Sequence, residues 1–236
     1  MVSAIIVAAG KGIRMNDPTR KQYLDLAGRP ILAHSVMVFD SCELIDKISL
    51  VVPKEDIEYC RKKIVPLLEI TNGIELVPGG EQRQNSVYNG LQAIDKKTDT
   101  VVIHDGVRPF IQSHEVESCI VGARKFGACI LGIPAGDTVK CVGESGFIEK
   151  TLSREIIWLA QTPQAFKYEL IISAHDVARR DGYTGSDDAS LVEHLGKKVR
   201  IIKGSKKNIK ITVREDLVTA RAMVDAINRQ PSIVVS

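Results

Sequence analysis

The chain has 236 residues, with 32 basic and 29 acidic side chains and a formal charge of +3. Hydrophobic residues at 44% and charged residues at 26% are ordinary globular usage, which argues against whole-chain disorder and leaves enough apolar side chains for a substantial core. So small a positive excess argues against a nucleic-acid coat while allowing a local anion site, and no apolar run approaches the ~18–20 residues of a membrane span.

Residues 2–9 are apolar, lack a basic leader and run into Gly10-Lys11-Gly12, which is not the pattern of a secretion signal. Within them, residues 3–7 read as a buried strand opening onto a glycine loop. Residues 30–40 predict a helix with Pro30 in its first turn and a stripe through Ile31, Leu32, Val36 and Phe39. Residues 47–52 predict a second strand, stopped by Pro53. Residues 54–70 read as a helix that Pro66 kinks or ends early. A third strand at 74–77, a helix at 84–96 and a fourth strand at 100–104 follow. Ser113 is the predicted cap of a helix reaching Gly127, with Glu115 well placed in its first turn. Residues 128–134 predict a fifth strand. This alternation calls for a mainly parallel sheet with helices on both faces. Ligands bind such sheets beyond the carboxyl ends of the strands, which singles out the loops after Val7, Val77 and Ile103.

The rhythm breaks after Gly136. Residues 138–142 and 147–152, joined by Gly143-Glu144-Ser145-Gly146, predict a hairpin that leaves the sheet as an arm. Beyond it the reading is a strand at 156–161, a helix at 167–181, a helix at 188–195, strands at 199–202 and 209–213, and a helix at 214–228. Trp158 is read as core. One domain is expected over 1–230, with the arm at about 137–154 and a loose tail at 231–236. The five cysteines, 42, 60, 119, 129 and 141, are odd in number and form no CxxC pair. They read as small apolar filler in a reducing, cytoplasmic compartment rather than as a disulfide or zinc framework.

The loop Ala8-Ala9-Gly10-Lys11-Gly12-Ile13-Arg14-Met15 lets backbone N–H groups approach phosphate oxygens and adds cations at Lys11, Arg14, Arg20 and Lys21. A dinucleotide fingerprint fails because Met15 stands where a third small residue is needed, and the Gly-Lys-Ser/Thr of a Walker loop is absent. A triphosphate site and a tight turn flanked by solvated charges explain this loop equally well. Gly79 to Ser86 carries amides and a hydroxyl suited to a base edge, but taken by itself an ordinary strand-to-helix turn with an N-cap is the better explanation. Asp105, at the end of a central strand, suits magnesium (Mg²⁺) or a hydroxyl, or a local ion pair with Arg108. His104 reads as a packed, hydrogen-bonded histidine. Thr138, Arg154, Thr162, Lys203, Lys206, Lys207 and Lys210 are candidates for a second phosphate-bearing substrate, since Arg binds phosphate bidentately and Lys supplies a movable charge. No Ser/His/Asp or Cys/His set has meaningful spacing.

Seven pieces in order, AAGKGIRM (8–15), KQYLDLAGRPILAHSV (21–36), GGEQRQNSV (79–87), HDGVRPF (104–110), TPQAF (162–166), SDDASLVE (186–193) and KKNIKITVREDL (206–217), give the chain a resemblance. It resembles the 2-C-methyl-D-erythritol 4-phosphate cytidylyltransferases of the non-mevalonate isoprenoid pathway. The resemblance implies an α/β, Rossmann-like nucleotidyltransferase three-layer sandwich on a mainly parallel sheet, with a protruding β-arm used in dimerisation. It implies CTP and 2-C-methyl-D-erythritol 4-phosphate as substrates, Mg²⁺ as cofactor and a homodimer, with neither nucleic acid nor membrane as partner. By motif, Arg14 and Lys21 are the cations at the α-phosphorus. Lys210, and Arg154 from the neighbouring chain, position the attacking phosphate, with Thr138 and Thr162 as further contacts. Ala8, Ala9, Gly10 and Gly12 form the triphosphate cradle. Gly80 and Ser86 meet cytosine, Arg83 supports their loop, and Asp105 meets the ribose, substrate hydroxyls or Mg²⁺. Gly106 and the segment Thr184-Gly185-Ser186-Asp187-Asp188 depart from the commoner family pattern, and the latter is assigned no catalytic role. Ribitol 5-phosphate is the alternative acceptor, and a non-catalytic nucleotide-binding protein is a more remote reading.

Overall fold

The structure is a computed structural model that describes residues 1–10, 12, 15, 19–68, 70, 71 and 73–229. The elements run β1 (Val2–Val7), a short ribbon of β2 (Asp25–Leu26) and β3 (Arg29–Pro30), α1 (Ile31–Asp40), β4 (Lys47–Val52), α2 (Ile57–Tyr59) inside an irregular helical run, β5 (Ile74–Pro78), α3 (Arg83–Ala93), β6 (Thr100–Asp105), α4 (Ser113–Phe126), β7 (Ala128–Pro134), β8 (Val139–Val142), β9 (Ile148–Leu152), β10 (Trp158–Lys167), α5 (Tyr168–Arg180), α6 (Asp188–His194), β11 (Arg200–Lys203) and α7 (Arg214–Asn228).

Seven strands form one sheet in the order β11-β7-β10-β6-β1-β4-β5. All pairings are parallel except those of β10, which runs antiparallel to both β6 and β7. The period-2 alternation of side chains divides each strand between two cores. Ala4, Ile6, Ile48, Leu50 and Val102 pack on one face with Leu32, Val36 and Phe39 of α1 and Val116, Cys119 and Ile120 of α4. Ile5, Val51, Val101, Ile103 and Phe166 pack on the other face with Val87 and Leu91 of α3, Ile171 and Ala174 of α5 and Leu191 of α6. Helices therefore cover both faces, giving the expected three layers. A third, smaller cluster of Met15, Leu26, Ile31, Val107, Phe110, Ile211 and Leu217 seats α7.

Several expectations need correction. The predicted helix at 54–70 is a broken run in which 3-10 turns flank α2 and a π turn (Cys60–Ile64). It ends in a 3-10 turn holding Pro66, which has no N–H to continue the ladder. Gln112, not Ser113, is the N-cap of α4; its backbone N–H donates to the Glu115 carboxylate at 3.1 Å. Helix α3 stops at Ala93 rather than 96. The strand placed at 156–161 begins at Trp158 and continues to Lys167, while Arg154–Ile156 is a 3-10 turn. Residues 209–213 form no strand; Ile211 N–H reaches Val107 O at 2.9 Å as a single tether. Trp158 is not core, being 38% exposed. The tail at 231–236 lies outside the described residues. Four of the five cysteines are buried, and all five are free thiols.

Strands β8 and β9 pair only with each other, so the predicted arm stands apart from the main sheet. Its turn is closed by Gly146 N–H to Gly143 O at 2.9 Å, with Gly146 at φ 81°, a conformation that only glycine adopts without strain. No helix among the described residues is long and apolar enough to cross a membrane.

Candidate active site

The carboxyl ends of β1, β5 and β6 meet in a basin of about 270 Å³, lined by Val7 to Gly10, Lys21, Gln22, Gly80 to Arg83, Ser86, Asp105, Val107 and Lys210. All three loops singled out by topology contribute to it. The glycine loop leaves β1 with Ala8 N–H bonded to Val51 O at 2.7 Å, so the Ala8 amide is committed to the sheet and does not face the basin. The loop is held from beneath by Gln22, which is 1% exposed and donates to Ala8 O at 2.7 Å and Gly10 O at 3.2 Å. Pulling carbonyls downward turns the remaining peptide dipoles of the loop toward the basin. Gly12 has φ 69° and lies against the Lys21 backbone. Gln22 carried no local signal in the sequence, since a buried glutamine between Lys21 and Tyr23 follows no helix or strand period. Arg14 and Lys11 lie outside the described residues.

The second loop is braced by its own hydroxyl. Ser86 Oγ accepts from Gly80 N–H at 3.1 Å and donates to Gln82 O at 3.0 Å, and Ser86 is 2% exposed. Its proton is committed to the loop, so the groups it presents outward are those of the Gly80–Gln82 backbone. A Cβ on Gly79 would overlap Ala9, and one on Gly80 would overlap Asn85. Close backbone approach is what glycine supplies at both positions, and at Gly79 it presses this loop against the glycine loop at Ala9.

The third group is a chain of paired charges built on two buried carboxylates. Arg83 Nε lies 2.9 Å from Asp105 Oδ1, and Arg83 Nη1 lies 2.8 Å from Asp188 Oδ2. Lys210 Nζ lies 2.8 Å from Asp105 Oδ2, with Arg108 Nε at 3.7 Å. Burial by itself would raise the Asp105 carboxyl, but Arg83, then Lys210 and Arg108, hold it well below the usual carboxylate range. Asp188 is likewise held below its ordinary value, its burial outweighed by Arg83 and His175. Lys210 reaches this chain from an irregular loop. That loop is pinned to β10 by Asn208 Nδ2 to Thr162 O at 2.8 Å and Gln161 Nε2 to Ser205 O at 2.9 Å.

His104 is a packed histidine, as the sequence suggested. It is fully buried against Phe39, with ring centroids 4.9 Å apart, and burial pushes its pKa down to about 3. Neutral imidazole fixes the polarity of its neighbours: Nε2–H donates to Arg108 O at 3.3 Å and Nδ1 accepts from Thr162 Oγ1 at 3.1 Å. Thr162 Oγ1 in turn accepts Asp105 N–H at 3.0 Å. The Thr162 hydroxyl proton is thus spent on His104, leaving the oxygen as an acceptor.

Beyond the charge chain lies a second cavity of about 240 Å³. It shares Arg83, Asp105 and Lys210 with the basin and adds Arg108, Gln161, Thr162, Gln164, Ser186 and Asp187. Gln164 and Asp187, joined at 2.7 Å, were not foreseen; the sequence showed only a helix start there. Thr138 and Arg154 line neither cavity. Both are exposed at the arm, where Arg154 Nη1 donates to Gly136 O at 3.1 Å. Lys203 and Lys206 face a separate cleft of about 520 Å³ beside His114 and Ser118, and Lys207 is exposed, so only Lys210 of the lysine cluster meets the site. Among the described residues, no three His, Cys, Asp or Glu side chains gather as a metal cage.

Residues 2–226 match the profile of the family described as 2-C-methyl-D-erythritol 4-phosphate cytidylyltransferase. A protein of that name from Pelotomaculum thermopropionicum is 46% identical over 225 residues, 95% of this chain and 94% of its own. Another from Geotalea uraniireducens is 45% identical over 231 residues, 97% of this chain and 99% of its own. The crystal structure described as 4-diphosphocytidyl-2C-methyl-D-erythritol synthase from Anaerococcus prevotii superposes with a TM-score of 0.85 at 33% identity, covering 95% of this chain and 96% of that one. Full-length similarity at this level, over loops that converge on one basin, carries the assignment: the chain belongs to the 2-C-methyl-D-erythritol 4-phosphate cytidylyltransferase family, an enzyme family of CTP-dependent nucleotidyltransferases.

Proposed function

We propose that this chain transfers the cytidylyl group of CTP to the phosphate of 2-C-methyl-D-erythritol 4-phosphate, releasing pyrophosphate and 4-diphosphocytidyl-2-C-methyl-D-erythritol. The family profile and relatives carry that acceptor in their name, and nothing favours ribitol 5-phosphate. The observation that carries the reading is the pair of cavities sharing a wall of Arg83, Asp105 and Lys210. Two phosphate-bearing substrates need two adjoining pockets with cations where their phosphates meet. Residues 1–230 act as one catalytic domain, with the arm as its appendage.

CTP takes the basin, its triphosphate along Ala9, Gly10 and Gly12 with Ala8 beneath, and its base against Gly80–Ser86. The methylerythritol phosphate takes the second cavity. An oxygen of its phosphate attacks the α-phosphorus, the bond from that phosphorus to the bridging oxygen breaks, and the pyrophosphate leaves with the electron pair. The nucleophile is already an anion, so no strong general base is required. The obstacle is repulsion between two anions, which Lys21, Arg14 and Lys210 reduce by placing fixed cations where charge builds up. Thr162 acts from the wall as an acceptor.

The donor set fits a cation that arrives on the triphosphate rather than a resident one. Mg²⁺ characteristically binds through one or two carboxylates plus substrate phosphates, and Asp105 is the wall carboxylate that would hold it. When bound, it would supply charge neutralisation at the phosphates. Arg154 and Thr138 serve the site of a second copy. Exposed Val142, Phe147, Ile148 and Ile156 on and beside the arm support a homodimer, because such side chains call for a covering surface. Five free thiols support a reducing cytoplasm.

Pyrophosphate release, assayed with CTP or UTP against each alcohol phosphate, tests the reading. Turnover confined to CTP with 2-C-methyl-D-erythritol 4-phosphate, and abolished by EDTA, is expected. Equal or faster turnover of ribitol 5-phosphate would overturn the acceptor assignment.

A further inference from the structure

The described mechanism leaves two buried titratable side chains without a role, His175 and Asp188. Asp188 is the first residue of α6 and His175 lies on α5, on the face of the sheet that also carries α3. Both are essentially inaccessible, at 0% and 1% exposed. A buried carboxylate is unfavourable unless it is paired, and here its strong partner is Arg83. His175 Nε2 stands 3.7 Å from the other Asp188 oxygen, and its ring lies beside Tyr88 of α3.

We infer that Asp188 is a positioning residue for the transfer reaction, acting through Arg83 on both substrate pockets. The placement of Arg83 is what gives Asp188 this reach. Arg83 is the first residue of α3, directly after the Gly80–Gln82 backbone, and its guanidinium borders both cavities. One edge of the fork grips Asp188 and another grips Asp105. Asp105 in turn holds Lys210 at 2.8 Å. Asp188 therefore divides the pull of Arg83 between two carboxylates. Without its charge, Arg83 has one carboxylate left and closes onto Asp105, where it competes with Lys210 for that carboxylate. The first turn of α3 loses its anchor to α6 in the same step. Both the base loop and the cation facing the attacking phosphate shift, although Asp188 touches neither substrate.

The inference rests on the functional reading above, and steady-state kinetics on the full chain separate the two. Asp188→Asn is isosteric and removes only the charge. It is expected to raise KM for CTP and for the alcohol phosphate by about tenfold each, the size of a lost charge-assisted pair, with kcat within about threefold. In an Arg83→Gln background the same substitution is expected to add less than about twofold, because its effect runs through Arg83. Arg83→Lys keeps the charge but cannot bridge two carboxylates, and is expected to raise both KM values similarly, with a lower melting temperature because one buried carboxylate loses its partner. That variant carries the test should Asp188→Asn fail to fold. Unaltered KM values in Arg83→Lys, or full additivity in the double mutant, would overturn the inference. Failure of the wild-type chain to turn over either alcohol phosphate would instead overturn the functional reading.

Discussion

The rim of the sheet and the arm place their charged side chains in opposite surroundings. At the rim, the Asp105 and Asp188 side chains are 8% and 1% exposed, and each is engaged by cations from other segments of the same chain. On the arm, Arg154 is exposed and contacts the Gly136 carbonyl, and the apolar side chains Phe147 and Ile156, on and beside the arm, are both 78% exposed. A group fixed on several sides by its own chain is preorganised before substrate arrives, so its contribution belongs to the chemical step. A group in the turn that follows a two-stranded ribbon has less such support, since an isolated hairpin is marginal in water. Under the homodimer proposed above, a second copy would supply that support. On the proposed reading, the chain pairs a self-contained basin with an arm that serves the site of a second copy.

The largest effect expected on the basin side comes from Lys21→Ala. It removes one fixed cation beside the phosphate loop and should lower kcat about 10²–10³-fold with folding intact, as loss of a preorganised donor does. Stopped turnover assays with circular dichroism as a folding control check it; near-normal kcat would remove Lys21 from the chemical step. On the arm side, Phe147→Asp should lower activity at dilute protein about tenfold or more by weakening subunit contact, yet shift melting of the folded chain little, as exposed substitutions do. Sedimentation of the variant reads the association directly.

A smaller change sharpens the account of the base loop. Gly80→Val adds atoms where even a Cβ overlaps Asn85, so the loop shifts before any base is crowded. KM for CTP should rise about 5–10-fold, in line with overpacking, and the preference for CTP over UTP should shrink. Retention of normal CTP affinity and selectivity would show that this loop does not read the base.

How far these sites were legible in the sequence follows from the range of the forces involved. Alternating β-branched runs and glycine loops are local signals, so the sheet, the arm and the three site-forming loops could be placed from residues alone. The strand at β10 was misjudged in start and length because its ten residues, Trp158–Lys167, include Pro163 and alternate poorly. Ile209–Val213 carries strand-forming residues, but no sheet edge lies beside it, and it ends as a tether to Val107. Trp158 read as core because large aromatics usually are; here it belongs to the exposed region beside the arm. Gln22, Gln164, Asp187 and Asp188 were invisible as site residues. Their partners lie 12 to 105 positions away in the chain, and such pairings emerge only when the topology brings them together.

The smallest expected effect is on pH dependence at the rim. His104 is neutral when folded, with burial pushing its pKa down to about 3, against an unfolded value of about 6.5. The unfolded chain takes up a proton below about pH 6.5 that the folded chain refuses, so stability is fully present above that pH and declines as pH falls toward 3. Asp105 and Asp188, held below their ordinary value, add a further loss below about pH 4. Melting temperatures between pH 7.5 and 4.5 should fall in wild type, and His104→Asn should flatten that slope. An equally steep slope in the variant would mean that other groups set it.

The division between a finished basin and a shared arm is tested most directly by mixing two inactive homodimers, Arg154→Ala and Lys21→Ala. After exchange, half the dimers carry one chain of each kind, and one of their two sites is wholly wild type. Activity should recover to about a quarter of wild type, as two-fold symmetry requires. No recovery, with exchange demonstrated by mass spectrometry, would place Arg154 in its own chain's site and contradict the account.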